Sequence, residues 1–358
     1  MASVSVIIPT CNRCEALSRT LASLQAADFA GVEAEILVVD NASSDWTREA
    51  VEAARRRNAS PLIRYFREPM PGLLSGRHRG AKESSADVCA YLDDDVRVGR
   101  DWPHAVVESF SNPAVALVGG PSAPLDEEPP PDWLTPFQGE NEHGRFCGWL
   151  SLFDGGTRTK EIDPCFVWGL NFSIRRKVLF DLGGFHPDCI PKHLQRYQGD
   201  GETGLSLKIA ASGMKAIYDP LASVEHEIPA SRLTVEYFVQ RAFYQGVCDS
   251  YTRIRAEGEV VQASGSWKDS FRVIKRSLVE AVRRDRSELG EVRARTGKAY
   301  RAGYRFHQDE VRRDPKLLEW VLRKDYWDYR LPDGWERWAS QAVAQDNTRR
   351  EKECVTYD

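Results

Sequence analysis

Short apolar runs alternate with amphipathic stretches along the first 120 residues of the chain. The runs have the length of buried strands, and the stretches between them carry apolar residues at helical spacing. The predicted strands are Val4–Ile8, Ala34–Val39, Leu62–Phe66, Val88–Leu92 and Val115–Val118, and the predicted helices are Glu15–Leu24, 44–57, Ser75–Glu83 and Asp101–Phe110. This β-α-β-α alternation predicts an α/β fold with a Rossmann-like, mostly parallel central sheet and flanking helices.

Polar residues follow three of these strands at their carboxyl ends. They are Pro9, Thr10, Asn12 and Arg13 after the first, Asp40 and Asn41 after the second, and Asp93, Asp94 and Asp95 after the fourth. Open α/β sheets bind their ligands at this edge, so we expect a nucleotide there. Asp40 has two interpretations: its carboxylate could accept a hydrogen bond from a pyrimidine ring, or it could cap the helix that follows.

Asp93, Asp94 and Asp95 form a run of three acids directly after a buried strand. Adjacent carboxylates repel one another, so a bound cation would stabilise them. Oxygen ligands favour a hard divalent ion such as Mg²⁺ or Mn²⁺. The alternative is a solvated acidic turn, and this motif alone is compatible with both.

Residues 121–165 lose regular spacing, and the stretch PLDEEPPPDW at 124–133 is typical of a loop or linker. A long irregular insertion in a compact domain is often functional, and this one could shape a substrate cleft. Trp168 follows it, either as an aromatic wall of that cleft or as a core residue. We expect these residues to belong to a second half of the domain.

Three further candidates lie at the ends of predicted elements. Asp200 and Glu202 precede a helix, where an acid either interacts favourably with the helix dipole or serves as a general base. Short strands are predicted at Lys215–Tyr218 and Ala222–Glu227, and the second carries His226 between two glutamates. A lone histidine is usually structural, but this one is also a candidate ligand.

From Leu233 onwards the pattern is helical. Apolar residues at 267–282 recur every three or four positions among lysines and arginines, which predicts a basic amphipathic helix. We expect it to pack on its own domain, with peripheral membrane contact or self-association as the alternatives. The segment that begins at Glu319 is too rich in tryptophan and tyrosine to be a disordered linker.

Length and composition narrow the function classes. The chain has 358 residues, enough for two domains or one large one, and its net charge of −4 does not favour a nucleic-acid partner. No G-x-G-x-x-G follows the first strand and no phosphate-binding G-x-x-x-x-G-K-[ST] occurs. The N-terminal apolar run is too short for a signal peptide, and no run could span a membrane. We therefore expect a cytoplasmic protein with reduced cysteines, or one bound at the inner face of the membrane.

Several segments in order resemble the family 2 glycosyltransferases. They are VSVIIPTCNR, ILVVDNASSD, EPMPGLLSGRHRG, YLDDDV, GLNFSIRRKVLFDLGGF, GDGETGLSLKIAASG and ASVEH. The resemblance covers about residues 3–227 and does not reach residues 251–358. It implies a GT-A fold at 1–250, with a nucleotide-binding half at 1–120 and an acceptor half at 121–250. A mainly helical extension would follow at 251–358.

The resemblance also implies roles for individual residues. Asp93 and Asp95 match the family's D-x-D motif, and His226 matches a histidine that completes the metal or diphosphate site in some relatives. Glu202 inherits the position of the catalytic base, with Asp200 as the second candidate. The residues expected to bind the nucleotide sugar are Pro9, Thr10, Asn12, Arg13, Asp40, Asn41, Arg77, Asp93, Asp94, Trp168, Asn171 and Arg241. Within that set, Asp40 would bind the nucleobase and Arg77 would lie near the base or ribose.

This family pattern predicts an inverting sugar transfer that depends on Mn²⁺ or Mg²⁺. The donor would be a nucleoside diphosphate sugar, with UDP the most common nucleotide. The acceptor would be a sugar, a lipid-linked glycan or a small molecule. Two other classes stay open: a nucleotidyltransferase that makes the sugar nucleotide, and a non-catalytic homologue that only binds it. The sequence departs from the family at Gly201-Glu202, where Glu-Asp is usual, and at Cys11, where an aromatic residue is common.

Overall fold

The computed structural model describes residues 2–58, 60–125, 130–260 and 288–332. The alternation predicted for the first 120 residues is present, and each element lies within a few residues of its expected bounds. In chain order these elements are β1 Val4–Thr10, α1 Cys14–Ala26, β2 Ala34–Asp40, α2 Thr47–Arg57, β3 Leu62–Arg67, α3 Leu73–Glu83, β4 Val88–Leu92, β5 Val96–Val98, α4 Trp102–Ser109 and β6 Val115–Gly119.

Residues 121–332 contain the remaining elements. They are β7 Ser122–Pro124, β8 Gly139–Asn141, β9 Gly144–Cys147, β10 Leu152–Asp154, β11 Lys160–Ile162, β12 Asn171–Arg175, α5 Arg176–Asp181, α6 Thr203–Ser212, β13 Lys215–Tyr218, β14 Val224–His226, α7 Val235–Glu257, α8 Glu288–Arg313 and α9 Pro315–Val321. Short 3₁₀ helices connect several of them, including Ala230–Arg232 between β14 and α7. The predicted helical C-terminal region is confirmed.

The central sheet has eight strands in the order β11-β13-β6-β12-β4-β1-β2-β3. Strand β1 runs parallel to β2 and β4, and β12 lies antiparallel between β4 and β6. Both faces of β1 are covered: Val6 and Ile8 belong to one buried cluster and Ile7 to another. This explains why the strand is continuously apolar instead of alternating. The predicted α/β class with a mostly parallel sheet is confirmed.

A second sheet occupies much of the segment predicted to be irregular. Its six strands are ordered β5-β14-β7-β10-β9-β8. The irregular interpretation of residues 121–165 was therefore wrong for the stretches that form these strands, and residues 126–129 lie outside the described residues. The strands here are three or four residues long, so an alternating pattern has too few positions to be recognised.

The C-terminal helices pack directly on the rest of the chain. A side chain at Gly246 of α7 would meet a backbone oxygen of Tyr300 at 2.1 Å, and one at Gly303 of α8 would meet that of Phe243 at 2.0 Å. The two glycines therefore let α7 and α8 lie close together. The predicted domain boundary at residue 250 falls inside α7, and the domain division stays a prediction. The amphipathic helix predicted at 267–282 and the tail beyond 332 lie outside the described residues.

Candidate active site

The carboxyl ends of β1 and β4 bring the aspartate triplet, Asp93–Asp95, next to the loop that follows β1. Thr10 donates a hydrogen bond from Oγ1 to Asp94 Oδ2 at 2.7 Å. The Arg13 guanidinium then spans two acids, with Nη1 2.7 Å from Asp94 Oδ1 and Nη2 2.8 Å from Asp95 Oδ2. The structure thus groups Thr10, Arg13 and the triplet as the sequence predicted.

A second arginine reaches Asp95 from the other side. Arg232 Nη2 lies 3.1 Å from Asp95 Oδ2, and Arg232 Nη1 lies 2.9 Å from His226 Nε2. A guanidinium can only donate, so Nε2 accepts and the ring proton sits on Nδ1, which faces the Leu150 carbonyl at 3.0 Å. Sequence reasoning missed Arg232, whose only signal was a basic residue six positions after the strand-end histidine.

The three acids have different proton affinities. Burial and the neighbouring Asp95 raise the pKa of Asp93 to about 6. Burial raises the pKa of Asp94 to about 7, although Arg13 and Thr10 act in the opposite direction. Burial would also raise the pKa of Asp95, but His226, Arg13 and Arg232 hold it well below its usual range. Because His226 Nε2 accepts from Arg232, we ascribe most of this lowering to the two arginines.

The triplet has the donor chemistry for a divalent ion. Asp95 Oδ1 is buried and has no hydrogen-bond partner among the described residues, which is unusual for a carboxylate oxygen. Carboxylate oxygens from Asp93 and Asp95, together with His226 Nε2, suit Mn²⁺ or Mg²⁺. In the described ranges, no group of three or more His, Cys, Asp or Glu side chains is already arranged to hold a metal ion. Arg13 and Arg232 donate to Asp95 Oδ2, so this oxygen would be free for an ion only if an arginine left it.

Glu202 lies at the start of α6, close enough to Asp93 for the two charges to interact. Its Oε2 accepts from Arg77 Nη1 at 3.1 Å, and its Oε1 accepts from the Gly169 backbone N–H at 3.1 Å. A Cβ at position 169 would stand 2.0 Å from Arg77 Nη2, so a larger residue there would have to displace this guanidinium. Burial would raise the pKa of Glu202, but Arg77 holds it below its usual range. The carboxylate is therefore ionised and fixed in direction.

Asp200, the second candidate for the base, has a different environment. Its Oδ1 lies 2.6 Å from His186 Nδ1, and its Oδ2 accepts from Thr252 Oγ1 at 2.7 Å. The Asp200 side chain is only 3% exposed, whereas that of Glu202 is 24% exposed. Burial opposes ionisation of Asp200, but His186 and Thr252 keep its pKa low. Asp200 therefore links the loop before α6 to α7.

Arg77 lies between the two acidic groups. It is buried, and its charge interacts with Glu202, Asp93 and Asp188. In the structure its hydrogen bond goes to Glu202, and the place near the base or ribose that the resemblance implied stays a prediction. Asp188 was not expected from the sequence; burial and Glu202 raise its pKa.

Asp40, the last residue of β2, and Asn41 after it bind mainly to β3 and to the turn before α3. Asp40 accepts from the Ser43 N–H at 2.7 Å and from Tyr65 Oη at 2.5 Å. Burial and Asp40 in turn raise the pKa of Tyr65 to about 12. Asn41 accepts from the Gly72 N–H at 3.0 Å and so fixes the turn before α3. The base-binding role of Asp40 stays a prediction.

The remaining predicted residues have structural contacts of their own. Pro9 and Asn12 flank the β1 end, where Asn12 Oδ1 accepts from the Ser44 N–H at 2.8 Å. Asn171 is buried and pairs with Trp102 Nε1 at 3.0 Å and the Ala222 carbonyl at 2.8 Å. The remaining two are Trp168, which packs against both core clusters, and Arg241 on α7, whose Nε is buried with no partner among the described residues.

Comparison with known proteins defines the class. The sequence model of glycosyl transferase family 2 matches residues 5–183, half of the chain, and the chain belongs to this family. It is therefore an enzyme that transfers a sugar. The glucosyl-dolichyl phosphate glucuronosyltransferase of Haloferax volcanii is 26% identical over 256 residues, covering 68% of this chain and 75% of the relative.

One further related sequence and one solved structure are also similar to this chain. The validoxylamine A glucosyltransferase of Streptomyces hygroscopicus subsp. jinggangensis is 36% identical over 116 residues, which cover 32% of this chain and 27% of that protein. Among solved structures, a mannosyltransferase from Pyrobaculum calidifontis in complex with GDP-Man and Mn²⁺ has a TM-score of 0.52 and 19% identity. That match covers 92% of this chain and 88% of the other, and it confirms the GT-A type of fold. None of the described helices is long and apolar enough to cross a bilayer.

Proposed function

We propose that this glycosyltransferase transfers its sugar with inversion, from a nucleoside diphosphate sugar to an acceptor hydroxyl, with the help of Mn²⁺ or Mg²⁺. The observation that carries the proposal is that the charge of Arg77 interacts with both Glu202 and Asp93. Arg77 hydrogen-bonds Glu202, and the triplet that contains Asp93 also contains the buried, unpartnered Asp95 Oδ1.

Glu202 is the proposed general base. A carboxylate with a lowered pKa is ionised near neutral pH and can take the proton of an attacking hydroxyl. Its hydrogen bonds to Arg77 and Gly169 hold it in one direction, and its partial exposure leaves room for an acceptor. One displacement at the anomeric carbon inverts its configuration, so no covalent sugar–enzyme intermediate is needed.

Asp93, Asp95 and His226 are the proposed metal ligands. A bound ion would supply positive charge where the diphosphate departs. Around it, Arg13 orients Asp94 and Asp95 through its two hydrogen bonds, and Thr10 fixes Asp94 from β1. Asp40 and the residues of the β1 and β2 ends are the proposed nucleobase and ribose contacts.

UDP is the proposed nucleotide, because acids at the position of Asp40 commonly bind uracil in this family. GDP is the second candidate, since the Pyrobaculum mannosyltransferase was solved with GDP-Man. We assign the acceptor to the class of polysaccharide, glycolipid or natural-product glycans. The relative from Haloferax is named for a lipid phosphate, which supports a lipid-linked acceptor.

The test is a panel of nucleotide sugars incubated with and without Mn²⁺ or Mg²⁺, scored for released nucleoside diphosphate. We expect one donor to be cleaved only with metal, and Asp95→Ala to abolish that release. Glu161→Ala is the control, because its exposed carboxylate pairs only with Lys215 in the described structure, and it should keep full activity. Failure of every nucleotide sugar to bind or react would refute the proposal.

A further inference from the structure

Arg232 is bound only to groups that the proposed function assigns to the metal. Its guanidinium contacts Asp95 Oδ2 at 3.1 Å and His226 Nε2 at 2.9 Å, and the described residues offer it no third side-chain partner. Asp95 Oδ2 also receives Arg13 at 2.8 Å, whereas Asp95 Oδ1 receives nothing from the described residues. Positive charge is thus concentrated on one oxygen of a buried carboxylate.

We propose that Arg232 exchanges partners when the donor binds. It holds Asp95 and His226 in the free enzyme, and it moves to the diphosphate of the donor when a divalent ion takes those two ligands. The inference rests on the proposed metal site and adds a residue to it. The ligand class for the displaced guanidinium is a nucleoside diphosphate, because its planar donors match phosphate oxygens.

Charge explains why the arginine must move. A divalent ion at Asp95 and His226 would use both acceptors of Arg232 and would repel its guanidinium at a distance of a few ångströms. A bound donor would add a negatively charged diphosphate, which would offer a displaced guanidinium a new partner. Arg13 differs, since it keeps Asp94 as a second carboxylate when Asp95 binds metal.

The backbone around Arg232 is suited to such a movement. The residue ends the three-residue 3₁₀ helix between β14 and α7, outside any sheet. Its side chain is partly exposed, whereas that of Asp95 is buried. Asp95 itself is fixed, because its carbonyl accepts from the Glu227 N–H at 2.9 Å. The arginine is therefore the partner that can leave.

The experiment measures two affinities in the full chain for wild type and Arg232→Gln. Mn²⁺ binding without nucleotide is followed by the paramagnetic resonance of free Mn²⁺, and UDP and GDP binding at saturating Mn²⁺ by calorimetry. We expect Arg232→Gln to bind Mn²⁺ about tenfold more tightly, since a competing cation is gone, and the diphosphate about tenfold more weakly. These opposite signs distinguish partner exchange from a purely structural role, which would weaken both.

Arg19→Gln is the matched control, because Arg19 is a nearby arginine whose ion pair with Glu227 involves no proposed ligand. It should leave both affinities within about twofold of wild type. If thermal unfolding shows that Arg232→Gln is not folded, Arg232→Lys is measured in its place. Its Mn²⁺ and nucleotide affinities should change in the same directions but by smaller factors. The partner exchange would be overturned if wild type binds Mn²⁺ and nucleotide but the Arg232 variants leave both affinities unchanged or weaken both. The proposed function would not be affected by that result. Wild type that binds no Mn²⁺ even with nucleotide would instead refute the proposed metal site.

Discussion

The aspartate triplet and the Asp200–Glu202 pair are both acidic, but the side chains that bind them differ in solvent exposure. Arg13 and Arg232 reach the triplet with side chains that are 36% and 25% exposed. Arg77 and His186 hold the pair with side chains that are only 3% and 2% exposed. The hydrogen-bond partners that hold Asp94 and Asp95 are thus partly exposed, and those that hold Asp200 and Glu202 are part of the interior.

We expect this difference between a site that exchanges ligands, as proposed for the triplet, and one that holds a carboxylate in one direction. A partly exposed arginine can leave a carboxylate when a metal and a diphosphate arrive, because water and phosphate are alternative partners. A buried arginine has no such alternative, since an unpaired charge in the interior costs several kcal/mol. We therefore expect changes in the pair to alter catalysis or stability, and changes in the triplet to alter binding.

The largest expected effect is that of Glu202→Gln on turnover. Glutamine keeps the shape of the side chain but cannot take a proton, so kcat should fall by about 10²- to 10⁴-fold while donor binding stays within a few-fold. Steady-state kinetics and calorimetry measure the two quantities. Asp200→Asn is the matched control and should keep most of its turnover. Loss of turnover in Asp200→Asn with activity retained in Glu202→Gln would reverse the assignment of the base.

The next effect concerns the pH dependence of the same step. Arg77 lowers the pKa of Glu202, so Arg77→Gln should raise it. A base must be ionised to act, and the acid limb of the kcat/KM profile should therefore move to higher pH in this variant. Arg64→Gln is the control, because Arg64 pairs with Glu35 instead, and its profile should match wild type. An unmoved acid limb in Arg77→Gln would show that Arg77 does not set the charge of the base.

The sequence predicted the first of these two acidic groups better than the second. Strand-end acids follow directly from the apolar runs before them, because parallel strands share one ligand-binding edge. Thr10, Arg13 and the triplet were accordingly found together. The hydrogen bond between Arg77 and Glu202 joins residues 125 positions apart, and no local pattern indicates such a contact.

Two other features were missed for related reasons. The second sheet consists of strands too short to show a period, and β7 within it pairs with β14, which lies far along the chain. Arg232 is one basic residue in a short 3₁₀ helix, where nothing distinguishes it from a solvated arginine. Asn171 was expected in the donor site because of its place in a family segment; its amide pairs with Trp102 and Ala222, and its donor-site role stays a prediction.

The smallest expected effect is on stability, and it tests the structural half of the comparison. Asp200→Asn removes a buried carboxylate that joins His186 to Thr252, and it should lower the free energy of unfolding by about 1–3 kcal/mol. Thr252→Val is the matched change on α7, and it should cost about 1 kcal/mol because it removes one hydrogen bond to that acid. Denaturant unfolding at pH 7 measures both.

The pH dependence of this loss has a definite sign. The pKa of Asp200 is lower in the folded protein than its ordinary value near 4, so its contribution is present above about pH 4 and is lost as the pH falls further. The stability gap between wild type and Asp200→Asn should therefore be constant near neutral pH and close in acid. A gap that widened in acid would mean that Asp200 is protonated in the fold, and the pair would then lack the fixed charge that sets it apart from the triplet.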